Sequence, residues 1–203
     1  MGKATTNIQN GGALVSATNA LPVAINIGSA EISSTNPVPV VGLVTNPTGS
    51  FTRPSDTTQY AVGDLVANST TAGSVAAVSL TVARAAAGSS MLRRLKLHKS
   101  STSTTSASFR VHLYRPGVTI TCANGDNGAF STDQVANYIG AFDVTIDRAF
   151  TDGAAGIGLP VVGSDINLKL ASGTTVQALM EARATYTPTS AEVFTITLDD
   201  LPN

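Results

Sequence analysis

From Phe51 onward the chain alternates apolar and polar residues in short runs, and this period of two constrains the fold more than any other feature. Successive strand side chains point to opposite faces, so each run supplies one core face and one outer face. The runs cover residues 80–84, 93–99, 107–115, 139–147, 165–170, 174–186 and 193–198. Turn-forming residues separate them: Gly88-Ser89, Pro116-Gly117, Asn124-Gly125-Asp126-Asn127-Gly128, Asp152-Gly153, Ser172-Gly173 and Thr187-Pro188. Strands spaced in this way predict an all-β, jelly-roll-like β-sandwich rather than βαβ units. Composition agrees, because only 12% of residues are charged and β-branched Thr, Val and Ile outweigh the long helix-forming side chains. One short helix is predicted over 131–138, with Ser131 or Thr132 as its cap.

Residues 1–50 have a different pattern. Short apolar patches, Leu14-Val15, Leu21-Pro22-Val23-Ala24-Ile25 and Asn36-Pro37-Val38-Pro39-Val40-Val41, recur between Asn, Ser and Pro. Pro22, Pro37, Pro39 and Pro47 forbid a helix or a central strand. The division predicted is an extended arm over 1–50 and a β-sandwich over 51–203. The arm is ordered by lying on a partner, with Leu21, Val23, Ile25, Val38 and Val40 as contact residues; a disordered linker is the alternative.

Several classes of function are excluded. The apolar runs are short and broken by Pro and Gly, so no transmembrane helix is expected, and no apolar stretch follows Met1-Gly2-Lys3-Ala4 to mark a secretory signal. Cys122 is the one cysteine, which rules out an intrachain disulfide and a Cys-rich zinc site. A net charge of −1 gives no pull towards nucleic acid, and 5% aromatics without Trp offer no stacking platform. A soluble protein of a reducing cytoplasm is expected. His98 and His112 are the two histidines, each in a basic run without a nearby carboxylate, so neither acid–base catalysis nor metal ligation is expected. The glycines of 152–158 lack the Lys-Ser/Thr ending of a phosphate loop and read as a flexible turn. Asp126 and Asp133 do not have calcium-loop spacing. No catalytic, cofactor or metal residues are assigned, and the protein is not expected to be an enzyme.

The charges are segregated along the chain. Residues 84–115 carry seven basic side chains and no acidic one, whereas the chain after Arg115 carries three basic and ten acidic. Alternation sets Arg94, Lys96 and His98 opposite Leu95 and Leu97, and Arg110, His112 and Tyr114 opposite Phe109, Val111 and Leu113. A polar linker over 100–107 would join these strands as a hairpin with one basic face. Asp143, Thr145 and Asp147 form an acidic counterpart. Either the two faces pair within one sheet, or the basic face meets an acidic face of a neighbour, which makes Arg94, Lys96 and Arg110 candidate partner-binding residues.

The segment Phe51-Thr52-Arg53-Pro54-Ser55-Asp56-Thr57-Thr58-Gln59-Tyr60, followed by Gly63-Asp64-Leu65-Val66, resembles a run found in virion structural proteins of tailed bacteriophages. The Pro/Val-rich arm before it and Ser79-Leu80-Thr81-Val82-Ala83-Arg84 after it look like the same architecture. The resemblance implies a head decoration (cement) protein made in the host cytoplasm. Such a protein sits on the capsid surface of the virion, binds the major capsid protein, stabilises the shell and forms a homo-oligomer, a trimer. It also admits a tail- or fibre-associated protein used in host attachment. Neither nucleic acid nor membrane is an expected partner. Within the motif, Arg53 pairs either with Asp56 or Asp64, or with a carboxylate on the shell.

Overall fold

The computed structural model describes residues 9–10, 13–14, 44–117 and 119–202, which fall into two compact units, Met1–Val40 and Val41–Asn203. In the first, β1 (Gln9–Asn10) and β2 (Ala13–Leu14) form an antiparallel pair. The arm residues Leu21, Val23, Ile25, Val38 and Val40 lie outside the described residues.

The second unit is almost entirely β. Its strands are β3 (Thr48–Thr52), β4 (Leu65–Val66), β5 (Val78–Thr81), β6 (Ser89–Lys99), β7 (Ser108–Tyr114), β8 (Tyr138–Thr145), β9 (Arg148–Phe150), β10 (Gly153–Pro160), β11 (Ile166–Lys169), β12 (Thr175–Ala182) and β13 (Val193–Pro202). All pairings are antiparallel, and the order β3-β13-β6-β10-β8-β7-β12-β4 makes one strongly curled, sandwich-like sheet. One layer holds β3, β13, β6, β11 and β9, and the other holds β8, β7, β12, β4 and β5. Strand β10 joins them, pairing with β6 through Ala154–Gly158 and with β8 through Leu159 and Pro160.

The alternating runs fill the space between the layers. Leu92, Leu95 and Leu97 of β6 meet Phe109, Val111 and Leu113 of β7, Phe142 and Val144 of β8, and Phe194, Ile196 and Leu198 of β13 in one buried cluster. Arg93 is an extra residue on β6, since Leu92 pairs with Asp200 and Arg94 with Asp199. This bulge turns Leu92 and Leu95 inward although they are three apart. A second cluster of Leu65, Ala67, Tyr114, Cys122 and Leu179 covers part of the opposite face of β7 and β12. Burial there pushes the Cys122 thiol above its ordinary range, which leaves it inert.

Four expectations are corrected. The expected hairpin is absent: β6 pairs with β10, β11 and β13, whereas β7 pairs with β8 and β12, because burying both apolar faces requires them to face each other. The glycine-rich segment 152–158 is not a turn. It supplies most of β10, and its glycines permit close approach to β8: a Cβ on Gly156 would lie 2.1 Å from the Thr145 carbonyl oxygen. The helix expected over 131–138 is a single 3-10 turn, Val135–Asn137, with no side-chain cap bond. The boundary at residue 50 falls inside β3, whose Thr48–Thr52 ladder runs along β13 as far as Val193. Residues 44–50 therefore belong to the sandwich.

Candidate protein-contact surface

Most of the segregated charge is neutralised across strands. Arg110 lies directly opposite Asp143 and holds it with two bonds of 2.6 and 2.7 Å. Those bonds hold the Asp143 carboxyl below its ordinary range. Arg94 lies opposite Asp199, donating at 2.6 Å, and Arg93 reaches Asp165 at 3.5 Å. The basic and acidic faces thus pair within the chain at Arg94 and Arg110, the first of the two alternatives, while the Arg94 side chain stays 59% exposed. Lys96 is exposed between Thr197 and Ile157, with no ion-pair partner among the described residues. Because Asp143 is half exposed, Arg110→Ala should cost no more than about 1 kcal/mol in chemical denaturation.

The two histidines do not meet. His98 is on β6 between Thr195 and Ala155, whereas His112 is on β7 in the other layer. His112 bonds Glu181 through Nε2 at 2.9 Å and stacks on Phe130 at 4.4 Å, beneath the loop cover that includes Phe130. Burial lowers its pKa below the ordinary 6.5, and Glu181 opposes this only in part. Folding therefore favours the neutral ring. Its contribution is complete above about 6.5 and is lost as pH falls from there towards the lower folded value. His112→Gln should flatten the fall in melting temperature over that interval, as read by circular dichroism.

The conspicuous residues of the phage-like segment are buried and structural. Arg53 has a fully enclosed side chain; its Nε donates to the Tyr60 hydroxyl and its Nη2 donates to Asp126 Oδ2 at 2.8 Å. The Tyr60 hydroxyl in turn donates to Asp126 Oδ1 at 2.7 Å, and that oxygen also accepts the Ala67 N–H at 2.7 Å. Arg53 thus pairs mainly with Asp126, not Asp64, and its enclosure corrects its candidacy as a partner-binding residue. Asp56 is a weaker second partner at 3.4 Å, and Asp64 instead accepts the Ala61 N–H. Asp126 can reach inward because Asn127 takes a left-handed φ of 61° and Gly125 packs against the Thr70 backbone. The sequence gives Asp126 only an ill-fitting calcium loop as context, so nothing in it marks this carboxylate as the partner of Arg53. A similar clasp joins buried Lys99 to Glu192 at 3.1 Å, with the Tyr186 hydroxyl donating to both Glu192 oxygens.

The outer face of β10 is different in kind. Ile157 and Leu159 occupy alternate positions and are 64% exposed, and Val161 and Val162 in the turn after β10 are exposed too, Val162 at 76%. Phe150, on the adjoining β9, is also more than half exposed. Glycine and proline at 156, 158 and 160 turn inward, so the outward positions carry the large side chains. Leu159 also borders a cleft of about 390 Å³ shared with Val44, Arg93, Arg94, Asp165 and Asp199. This ridge had no signal in the sequence while 152–158 read as a turn; its signal is the alternation of Ile157, Leu159 and Val161.

A groove of about 530 Å³ past Thr45, Thr48, Ser79 and Pro202 has Arg84 as its one charged lining residue. Among the described residues no group of three His, Cys, Asp or Glu side chains converges as a metal site, and no helix is long and apolar enough to cross a membrane. In comparisons with known proteins, no family model matches the chain and no curated protein matches it.

Proposed function

We propose that this protein is a non-enzymatic structural component of a bacteriophage virion, a decoration (cement) protein that binds the major capsid protein on the outside of the head. The observation that carries the reading is the exposed apolar ridge of Phe150 and β10, on a body where Arg93, Arg94 and Arg110 are paired with carboxylates of the same chain. A rigid, nearly neutral sheet face with an apolar centre suits protein–protein contact rather than turnover. The resemblance of residues 51–69 to phage virion proteins supports the same conclusion. Cement proteins act by burying area across capsomer boundaries, so many modest contacts add through effective concentration. Electron microscopy of purified virions labelled against this chain tests the proposal. Label outside the head is expected, and label restricted to the tail overturns it.

The arm supplies a second expected result. The described core draws on residues from Phe51 onward, and Thr45 is bound to the buried Asp200 by two backbone bonds and a side-chain bond of 3.1 Å. Removing residues 1–43 should therefore leave the melting transition nearly unchanged while weakening attachment to particles in a co-sedimentation assay. Removing residues 1–47 should lower the transition, because it deletes Thr45 and the Pro47 carbonyl that accepts the Leu198 N–H.

A further inference from the structure

We propose that Asp200 is a proton-controlled latch on residues 44–47, the segment that leads into β3: the carboxylic acid clamps the segment down, and the carboxylate loosens it. The latch does not depend on a virion role. Asp200 occupies a core position. Alternation along β13 turns it to the same side as Phe194, Ile196 and Leu198, and like them it is fully buried. Asp126 and Glu192, also buried, each have a cation at hand, whereas Asp200 has none within ion-pair distance among the described residues. Two hydroxyls hold it instead, one from each neighbouring segment. Ser90 of β6 donates to Oδ1, and Thr45 donates to Oδ2 at 3.1 Å.

The segment over Asp200 is thinly attached. Thr45 exchanges two backbone bonds with Asp200, of 2.8 and 3.0 Å, and the Pro47 carbonyl accepts the Leu198 N–H at 3.0 Å. Open clefts flank it, one past Val44, Arg94 and Leu201 and the other past Thr45, Pro47 and Pro202. Lifting residues 44–46 admits water to the carboxyl and leaves the β3–β13 ladder, which starts at Thr48, in place. A buried carboxylate without a counter-charge is costly, and its acid form is far less so. Ionisation therefore favours the lifted segment, and protonation the closed one.

The neighbouring charges are engaged elsewhere. Asp199 of β13 is held by Arg94, and Arg93 of β6 is turned to Asp165. Lys169 of β11 and Arg84 beside the groove are exposed, and residues 44–47 carry no titratable side chain. Burial pushes the Asp200 carboxyl above its ordinary 3.8, and the Ser90 and Thr45 hydroxyls oppose this only in part. The cost of the charge is complete above the raised value, fades as pH falls through it, and is gone below 3.8. His112, in the other layer, acts on stability in the opposite sense as pH falls, so the latch is read locally rather than from the global transition.

Nuclear magnetic resonance of the full chain, titrated from about pH 7 to about pH 4, tests the latch. The Asp200 carboxyl should titrate with a midpoint above 3.8. Hydrogen-exchange protection of the Thr45 N–H, corrected for the intrinsic effect of pH on exchange, should rise on acidification through that midpoint. The full rise should be about tenfold for each pH unit by which the midpoint exceeds 3.8. Asp200→Asn carries no charge at any pH, so it should show the high protection already at neutral pH and lose the pH dependence. Thr45→Val gives a second readout if Asp200→Asn does not fold. It removes a hydroxyl that donates to the carboxylate, so the Asp200 midpoint should move further up. A midpoint at or below 3.8, Thr45 protection that does not follow the midpoint, Asp200→Asn no better protected than wild type at neutral pH, or a midpoint unmoved by Thr45→Val overturns the latch.

Discussion

Gly156→Val should yield no soluble, folded protein. A Cβ at this position would lie 2.1 Å from the Thr145 carbonyl oxygen and 2.9 Å from Ile146 Cα, and both obstacles are backbone. Side-chain repacking cannot relieve them. The strand could only move away, and β10 is the element that bonds β6 in one layer to β8 in the other. Even Gly156→Ala should cost about 3 kcal/mol, the upper end of ordinary overpacking, because no flexible neighbour can yield. For a domain of this size that is a fall of roughly 6–12 °C in melting temperature. Gly73→Ala is the control, since nothing lies within 4 Å of its would-be Cβ and its backbone is not left-handed. Its transition should stay within about 0.5 kcal/mol of wild type. If Gly156→Ala melts with the control, β10 does not pack against β8 as described.

Asp126→Ala should destabilise the protein by about 3–5 kcal/mol, the cost of leaving a buried charge without its partner. The substitution strands the Arg53 guanidinium, the Tyr60 hydroxyl and the Ala67 N–H together, all of them enclosed. Arg53→Met alone should also destabilise, because it leaves the Asp126 carboxylate buried without its cation. The double variant Arg53→Met/Asp126→Ala should lose less than the sum of the two single variants, since an apolar pair needs no counter-charge. A loss remains because Tyr60 and Ala67 still lack their acceptor. Denaturant titration of the four proteins reads the coupling directly. A single-variant loss below about 1 kcal/mol would show that water reaches Arg53 and that the clasp does not hold residues 53–67 to the loop at Asp126.

How much of this was legible in the sequence depends on the distance over which each feature is determined. Each of the seven alternating runs overlaps a strand, because a period of two is a local property and burial of one face follows from it. Only Leu80 and Thr81 of 80–84 lie in β5, however, and the run from 174 leaves β12 after Ala182. The inward side of each run was legible for the same reason: Leu95, Leu97, Phe109, Val111 and Leu113 are all fully buried. Charge segregation was visible too, and adjacent strands converted it into the Arg110–Asp143 and Arg94–Asp199 pairs.

Pairing between distant segments was not legible. Whether β6 and β7 pair directly or face each other across the core depends on where β10 and β13 lie, some 40 to 110 residues further on. The same dependence hid β10. Four of its eight residues are Gly or Pro, and such a segment reads as a turn until a neighbouring backbone is found within 3 Å of the missing side chains. Arg53 found Asp126, 73 positions away, over two nearer carboxylates, because only a folded loop removes both groups from water together. The sequence by itself determined the strand class and which side of the alternating runs turns to the core. Tertiary structure alone decided the layer order, the buried clasps and which apolar residues were left facing outward, since each depends on contacts that local periodicity does not encode.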